Sequence, residues 1–387
     1  MLIRERPAFR LLWTARAVSS LGDGVSTVTL TLLVLPDGPT AVAVLLLVGA
    51  LPRLLGPVTG VLADVLDPRV VLLGSALVGA AVLGTVATVD LSRIPLLCLV
   101  AAASLAATCF GPAYRRLVPE LVDEAHLPEA NAWNGAATQL SLLLGAAGAG
   151  LLVAVMSPRS VLLVDAASFL VAAGLIARLP RTAPRARGGL GVGAEVRAGL
   201  AFARTDRTVR ALLLGMLLLV GFVGIDNVAL VFLVTVELGA GTSAYGVLSA
   251  VGGLAMVTTS VVLLRRRAVD PVRLLLLGSL LSSAGAALIG LAPGLLTLAV
   301  ALACAGSGNA VVVLGAEGLL QRAVPRELLG RVGGAYQAST QLAFVLAYAA
   351  GGPLLAALGP RPVFLVAAAG SLLALLVFRP ALRPSHR

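Results

Sequence analysis

"VLDPRVVLLGSAL", residues 65–77, returns as "AVDPVRLLLLGSLL", residues 268–281, so that Asp67-Pro68 and Asp270-Pro271 stand 203 residues apart. A second pair follows in the same order. "RLVPELV" at 116–122 matches "RAVPREL" at 322–328, setting Arg116 on Arg322 and Pro119 on Pro325 at a spacing of 206. Apolar runs resemble one another by chance, but polar dipeptides in matched order mark an internal repeat. Everything between these loops is apolar: 59% of the 387 residues are hydrophobic and 12% charged, and the mean hydropathy is +1.01. Runs of about 20 apolar residues, the length that crosses a bilayer, recur along the whole chain. This is the composition of an integral membrane protein built as two copies of one unit.

Turn chemistry at "PDGPT" (36–40), "DLSRIP" (90–95), "MSPRS" (156–160) and "LAPG" (291–294) separates the runs. The expected spans are 11–35, 41–62, 70–89, 94–112, 132–156, 160–178, 209–235, 244–264, 272–291, 294–316, 331–357 and 361–378, twelve in all. The net charge is +11, and all 29 basic residues are arginine. With twelve spans, Arg4, Arg6, Arg10, Arg69, Arg115, Arg116, Arg265, Arg266, Arg267, Arg322, Arg326 and Arg379 collect on the side of the termini, while the other side keeps Arg93, Arg159 and Arg361. That segregation places both termini in the cytoplasm. Eleven or thirteen spans would scramble it, and only Arg16 and Arg53 resist assignment to either side. Arginines confined to short loops set orientation and give no reason to expect nucleic-acid binding.

The stretch from 178 to 210 is rich in Arg, Pro and Gly and divides the chain into an N-terminal six-helix bundle (1–178), a cytoplasmic linker (179–208) and a C-terminal six-helix bundle (209–387). In the linker, Val196, Leu200 and Phe202 have helical spacing, which suits either an amphipathic segment on the membrane surface or a solvated tether. The N-terminal "MLIRERPAFRLLW" has the charge of a signal peptide, but no small-residue cleavage site follows, and it is read as a retained first span. Cys98, Cys109 and Cys304 lie in apolar runs without metal-ligand spacing.

The loop "GVLADVLDPR", residues 60–69, resembles the signature of the major facilitator superfamily at Gly60, Leu62, Ala63, Asp64 and Arg69, and departs from it at Val65, Asp67 and Pro68. Parallel six-span repeats related by an axis along the membrane normal are the architecture of that superfamily. Further stretches, "FRLLWTARAVSSLGDGV" (9–25), "LVPELVDEAHLPEANAWNGAATQL" (117–140), "LLVDAASFLVAAGLI" (162–176) and "LLQRAVPRELLGRVGGAYQAST" (319–340), are similar to its macrolide-efflux and enterobactin-exporter branch. The resemblance implies an all-α protein of twelve transmembrane helices in two six-helix bundles, with the solute path between them. It also implies a conformational latch at Gly60, Asp64 and Arg69. Span five holds Gly145, Gly148 and Gly150 in "LGAAGAG", where antiporters of the superfamily carry a proline among paired glycines; Ala146 stands in its place. Small residues at this spacing let helices cross closely in lipid.

Three carboxylates fall inside spans: Asp23, Asp165 and Asp226. A carboxylate at membrane depth needs a partner or a wet path. Asp226 follows Asp23 by 203 residues, the spacing of the Asp-Pro pair, so "LGDGV" and "GIDNV" are equivalent segments of spans one and seven. Such carboxylates suit a proton or a cationic substrate, and they suit equally a hydrogen bond to neighbouring Ser, Asn or backbone; Asp165 either bonds neighbouring helices or lines the path. Asn134, Gln139, Asn227, Asn309, Gln337 and Gln341 are cavity-lining candidates that serve as well to join helices. Glu317 is expected to pair with Arg322, and Glu237 to be solvated.

The resemblance implies proton-coupled export of a small amphipathic molecule, drug-, macrolide- or siderophore-like, by alternating access. An importer or passive facilitator of the same fold, and a non-transporting membrane sensor or scaffold, are the alternatives. The expected setting is the bacterial plasma membrane, and the expected partners are a small-molecule substrate, protons and lipid, with the chain acting as a monomer. An enzyme is not expected. The two histidines, His126 and His386, lie outside the spans, and neither a nucleotide-binding glycine loop nor a metal or cofactor site is present in the pattern.

Overall fold

The computed structural model describes residues 2–56, 59, 65–180, 201–202, 204–265, 270–325 and 328–382. Among these residues every regular element is helical. After a single turn, Leu2–Glu5, come α1 (Pro7–Val34), α2 (Pro39–Ala50), α3 (Pro68–Thr88), α4 (Arg93–Leu121), α5 (Leu127–Val155) and α6 (Pro158–Ile176). The second series is α7 (Arg207–Val223), α8 (Asp226–Phe232), α9 (Thr242–Arg265), α10 (Pro271–Leu291), α11 (Leu295–Ala323), α12 (Leu329–Leu358) and α13 (Pro360–Leu382).

Ten helical stretches of the described residues are long and apolar enough to cross a membrane, and one of them, Arg207–Glu237, is α7, α8 and a terminal π turn run together. The remaining two places in the order of twelve are taken by α5, 29 residues long, and by α2. That helix is shorter because Pro52, which has no backbone N–H, turns it into the tighter Leu51–Leu55 segment.

The repeated dipeptides are helix starts. Asp67 caps α3 by accepting the Arg69 backbone N–H at 2.9 Å, and Asp270 caps α10 through the Val272 N–H at 3.4 Å. Pro68 and Pro271 occupy the first helical position, where a missing N–H is harmless. The repeated arginines tie the next helix to the same corner: Arg116 donates to the Leu66 carbonyl at 2.9 Å, and Arg322 pairs with Asp270 at 3.4 Å. Arg322 therefore serves Asp270 rather than the expected Glu317. At the opposite ends the arginines repeat but their acids do not: Arg159 of α6 pairs with Asp90 after α3, and Arg361 of α13 with Glu237 at the end of the seventh span. Arg361 also donates to the Ala292 carbonyl at 2.7 Å. Glu237, expected to be solvated, is half of a staple because the π turn ends beside the start of α13.

Two compact units divide the described residues. One comprises Met1–Leu33 and Val48–Gly189, the other Val34–Leu47 and Leu190–Arg387. In the first, α3 packs on α4 and α6. In the second, α10 lies along α11, and α7 along α12 and α13, around a core of Leu212, Met216, Leu275, Val312, Tyr336 and Phe378. The start of α2 belongs to that second unit, where Gly352 of α12 leaves room for Ala43. Phe202, at the end of the linker, is packed against the same core, while residues 181–200, including Val196 and Leu200, lie outside the described residues.

Candidate functional site

The first unit is organised around Asp23. Its helix, α1, stays continuous although it is rich in Ser and Thr, because those hydroxyls bond back to its own carbonyls: Ser26 to Gly22 (3.0 Å), Thr27 to Asp23 (2.8 Å), Thr29 to Val25 (2.8 Å) and Thr31 to Thr27 (2.8 Å). Those four hydroxyls are thus satisfied where lipid offers no water, while the buried Ser20 hydroxyl of the same helix has no partner among the described residues.

Successive residues of a helix point about 100° apart, so Gly22, Asp23 and Gly24 face three directions. Gly22 faces α6, where a Cβ would overlap the Asp165 carboxylate. Gly24 faces α5, where a Cβ would come within 2.8 Å of the Gly145 Cα, and the Ser141 hydroxyl donates to the Ser20 carbonyl beside it. Asp23 faces neither helix and opens into a cavity of about 140 Å³. The glycines on either side of the carboxylate are what allow α5 and α6 to close on α1.

Asp165 is 2% exposed and does not line that cavity. It accepts hydrogen bonds from Ser26 of α1 and from Ser168, the latter at 2.8 Å. The cavity wall is instead made by Ser26, Thr27 and Leu30 of α1, by Ser75, Gly79, Val82, Leu83 and Val86 of α3, and by Val100, Ser104 and Phe110 of α4, with Phe169 of α6. Two arginines open onto the same space. Arg16 lies two turns before Asp23 on α1, its guanidinium over the Phe110 ring at 5.3 Å, and Arg53 comes from the tight turn after α2. Sequence reasoning left these two unassigned. Their failure to fit either side of the membrane was the available signal.

In the second unit the equivalent helix is broken. α7 stops at Val223, and Asp226, half-buried, starts α8. The break falls at Gly224, which packs closely: a Cβ there would come within 3.1 Å of Phe344 and 3.2 Å of Ala347 on α12. The exposed Asn227 side chain donates to the Gly224 carbonyl at 3.2 Å, which satisfies the interrupted backbone.

The other candidates are scattered. Asn309 accepts from Ser282 at 2.9 Å and joins α11 to α10. Asn134 and Gln341 are half-buried and Gln337 is exposed. No described amide lines the cavity, and the Gln139 side chain lies outside the described residues. Gly148 lies beside Val25, a Cβ there being 3.8 Å from it, and Gly150 is buried on α5. Gly60 and Asp64 lie outside the described residues, while Arg69 donates to the Ala177 carbonyl at the end of α6.

Known proteins place this architecture. Over 94% of the chain and 91% of the relative's length, the sequence is 29% identical to the uncharacterized MFS-type transporter YfiS of Bacillus subtilis (strain 168). Among solved structures, the nucleoside transporter NupG superposes with a TM-score of 0.80 at 13% identity, covering 97% of this chain and all of that one. An auto-inhibited peptide transporter of the POT family gives 0.80 at 14%, covering 98% of each chain. A bacterial homologue of the iron transporter ferroportin, in its inward-facing state, gives 0.72 at 19%, covering 98% and 99%. These likenesses establish the fold; the family model for transmembrane secretion effectors matches residues 4–385. The chain is a multi-pass membrane transporter for a small molecule, not an enzyme, and it belongs to the transmembrane secretion effector family of the major facilitator transporters.

Proposed function

We propose that this transporter exports a small amphipathic molecule across the bacterial plasma membrane by alternating access, with proton entry as the driving flux and both termini in the cytoplasm. The carrying observation is the cavity around Asp23. A carboxylate at mid-helix opens into a space whose walls are apolar (Val82, Leu83, Val86, Phe169) with a few polar groups, the composition of a small-molecule site. A proton taken up by Asp23 removes a charge from that space, and the site's affinity for solute changes with it. Asp165 then serves as the hydrogen-bonded post that holds α6 against α1, and Asp226 as the second-unit counterpart of Asp23. The secretion-effector family and the similarity to efflux proteins support the outward direction. The chain is taken as a monomer.

The test uses inverted membrane vesicles with an imposed proton gradient and a panel of lipophilic cations, macrolides, siderophores and organic acids. The expected result is gradient-dependent accumulation of at least one class, abolished in Asp23→Asn. Accumulation that persists in both Asp23→Asn and Asp226→Asn would overturn the proton-site assignment, flux that ignores the gradient would mark a passive facilitator, and silence across the panel would favour a sensor or scaffold.

A further inference from the structure

Four hydroxyls that line the Asp23 cavity already donate their protons elsewhere. Thr27 donates to the Asp23 carbonyl at 2.8 Å, Ser75 to Ala106 at 2.8 Å, Ser104 to Gly49 at 2.5 Å, and Ser26 to Gly22 at 3.0 Å and to Asp165. Ser19 also lines the space, and the charged donors facing it are the guanidinium groups of Arg16 and Arg53. Among the described residues neither makes a hydrogen bond or an ion pair within 4.0 Å, although Asp23 exerts its field on both. Ionised, the lining carries two guanidiniums against one carboxylate, a surplus of one positive charge. Arg16 shares a helix face with Asp23, seven residues away, and is its natural counter-charge. Arg53 is the guanidinium left over. Arg53 is exposed on its turn, so its guanidinium is open to an incoming anion.

We propose that the cavity binds the anionic head of a carboxylate-bearing amphipathic molecule, with Arg53 as its principal donor and Arg16 as the second. The apolar body lies against Val82, Leu83, Val86 and Phe169. A planar guanidinium meets a carboxylate with two parallel hydrogen bonds, which fixes the orientation of the head. The proposal rests on the exporter reading of the same site and narrows its substrate from amphipathic molecules in general to acids. An anion leaving and a proton entering both carry charge in the direction that an inside-negative potential favours. A lipophilic cation, by contrast, meets the site's surplus charge as a repulsion.

The experiment is calorimetric titration of the full chain in phosphatidylcholine nanodiscs with naphthalene acetate, its neutral amide and the cationic naphthylethylamine. The acid is expected to bind at least about tenfold more tightly than the amide, the ratio that a charge-assisted pair commands, and the amine to bind weakest. Arg53→Gln should remove that preference and Arg53→Lys should retain part of it, which separates loss of binding from loss of folding. Equal binding of acid and amide, stronger binding of the amine, no binding of any of the three, or an undiminished preference in Arg53→Gln overturns the proposal. Should the acid bind but never accumulate in inverted vesicles, the anion site stands and the exporter reading falls; should drugs accumulate while the acid does not bind, the reverse holds.

Discussion

The four residues "LLGS" occur at 72–75 in α3 and at 276–279 in α10, and the two copies have opposite fates. Around Gly74 a Cβ would meet nothing within 4 Å, whereas at Gly278 it would come within 2.5 Å of the Val312 backbone nitrogen. Ser75 reaches across to the Ala106 carbonyl of α4 and lines the cavity. Ser279 is fully buried and turns back on Leu275 of its own helix, 2.7 Å away. The cause lies in the partner helices. At the repeat spacing of 206, Gly308 and Gly315 of α11, which face α10, stand where α4 carries Ala102 and Cys109. Glycine on both faces lets α10 and α11 meet backbone to backbone; side chains on α4 hold α3 off and leave room for a cavity. Duplication laid down the same helices twice, and a handful of β-carbons decided which copy is open.

The largest effect should come from filling the closed copy. A Cβ at Gly285 would lie 2.5 Å from the Ala305 nitrogen, and at Gly308 it would overlap the Ser282 backbone. Gly285→Val and Gly308→Val are each expected to destabilise the second unit by about 1–3 kcal/mol or more, the usual range for an overpacked contact. Gly74→Ala, in the open copy at the counterpart of Gly278, should leave stability unchanged or raise it by up to about 1 kcal/mol, because alanine favours helix over glycine. Thermal unfolding in nanodiscs measures all three. A Gly74→Ala variant as unstable as Gly308→Val would break the contrast.

Next is the post beside the open copy. Asp165→Ala strips the acceptor from Ser168 and from Ser26, although Ser26 keeps its bond to Gly22. The expected loss is about 1–3 kcal/mol, as for other buried donors left unpaired, with Asp165→Asn milder because one oxygen survives. An Asp165→Asn variant that abolishes transport at full stability would instead place Asp165 among the coupling groups.

The two caps come third. Asp67→Ala and Asp270→Ala should each cost about 1 kcal/mol of stability. Arg322→Gln, which removes the exposed pair with Asp270 and leaves the cap in place, should cost about 0–1 kcal/mol against the unaltered chain, and an unchanged unfolding temperature would show that the pair adds nothing.

These contrasts bear on what was readable before any coordinates. Hydropathy, turn residues and arginine placement follow from free energies that act on each segment separately, and they sufficed for twelve spans in repeated order. Asp23 and Asp226 could be paired by spacing, but not the fact that one sits on an unbroken helix and the other begins a new one; the break lies where Gly224 packs against Phe344 and Ala347, residues about 120 positions away. The cavity itself was invisible, because it exists by virtue of the β-carbons that α4 has and α11 lacks. Arg16 and Arg53 were visible only as misfits. An arginine that belongs to neither face of a membrane is the sequence trace of a polar interior.

The smallest expected effect concerns the outer staples, Arg159 with Asp90 in one unit and Arg361 with Glu237 in the other. Arg159 holds the Asp90 carboxyl below its ordinary range, first through their hydrogen bond and then through its charge. A folded-state pKa below the unfolded one means that the pair stabilises the protein fully above the unfolded value, about 3.9 for aspartate, and that this contribution fades as pH falls through the lower folded value. Asp90 is open to solvent, so the gain is small. Arg159→Gln should therefore lower the unfolding temperature slightly at neutral pH, and the gap from the unaltered chain should close as pH falls below about 4. Arg361 differs in also holding the Gly290 and Ala292 carbonyls, at 3.3 and 2.7 Å, and those bonds do not titrate. Arg361→Gln should lower the unfolding temperature at every pH, so the two staples, built on repeated arginines but on acids from different helices, part company in acid.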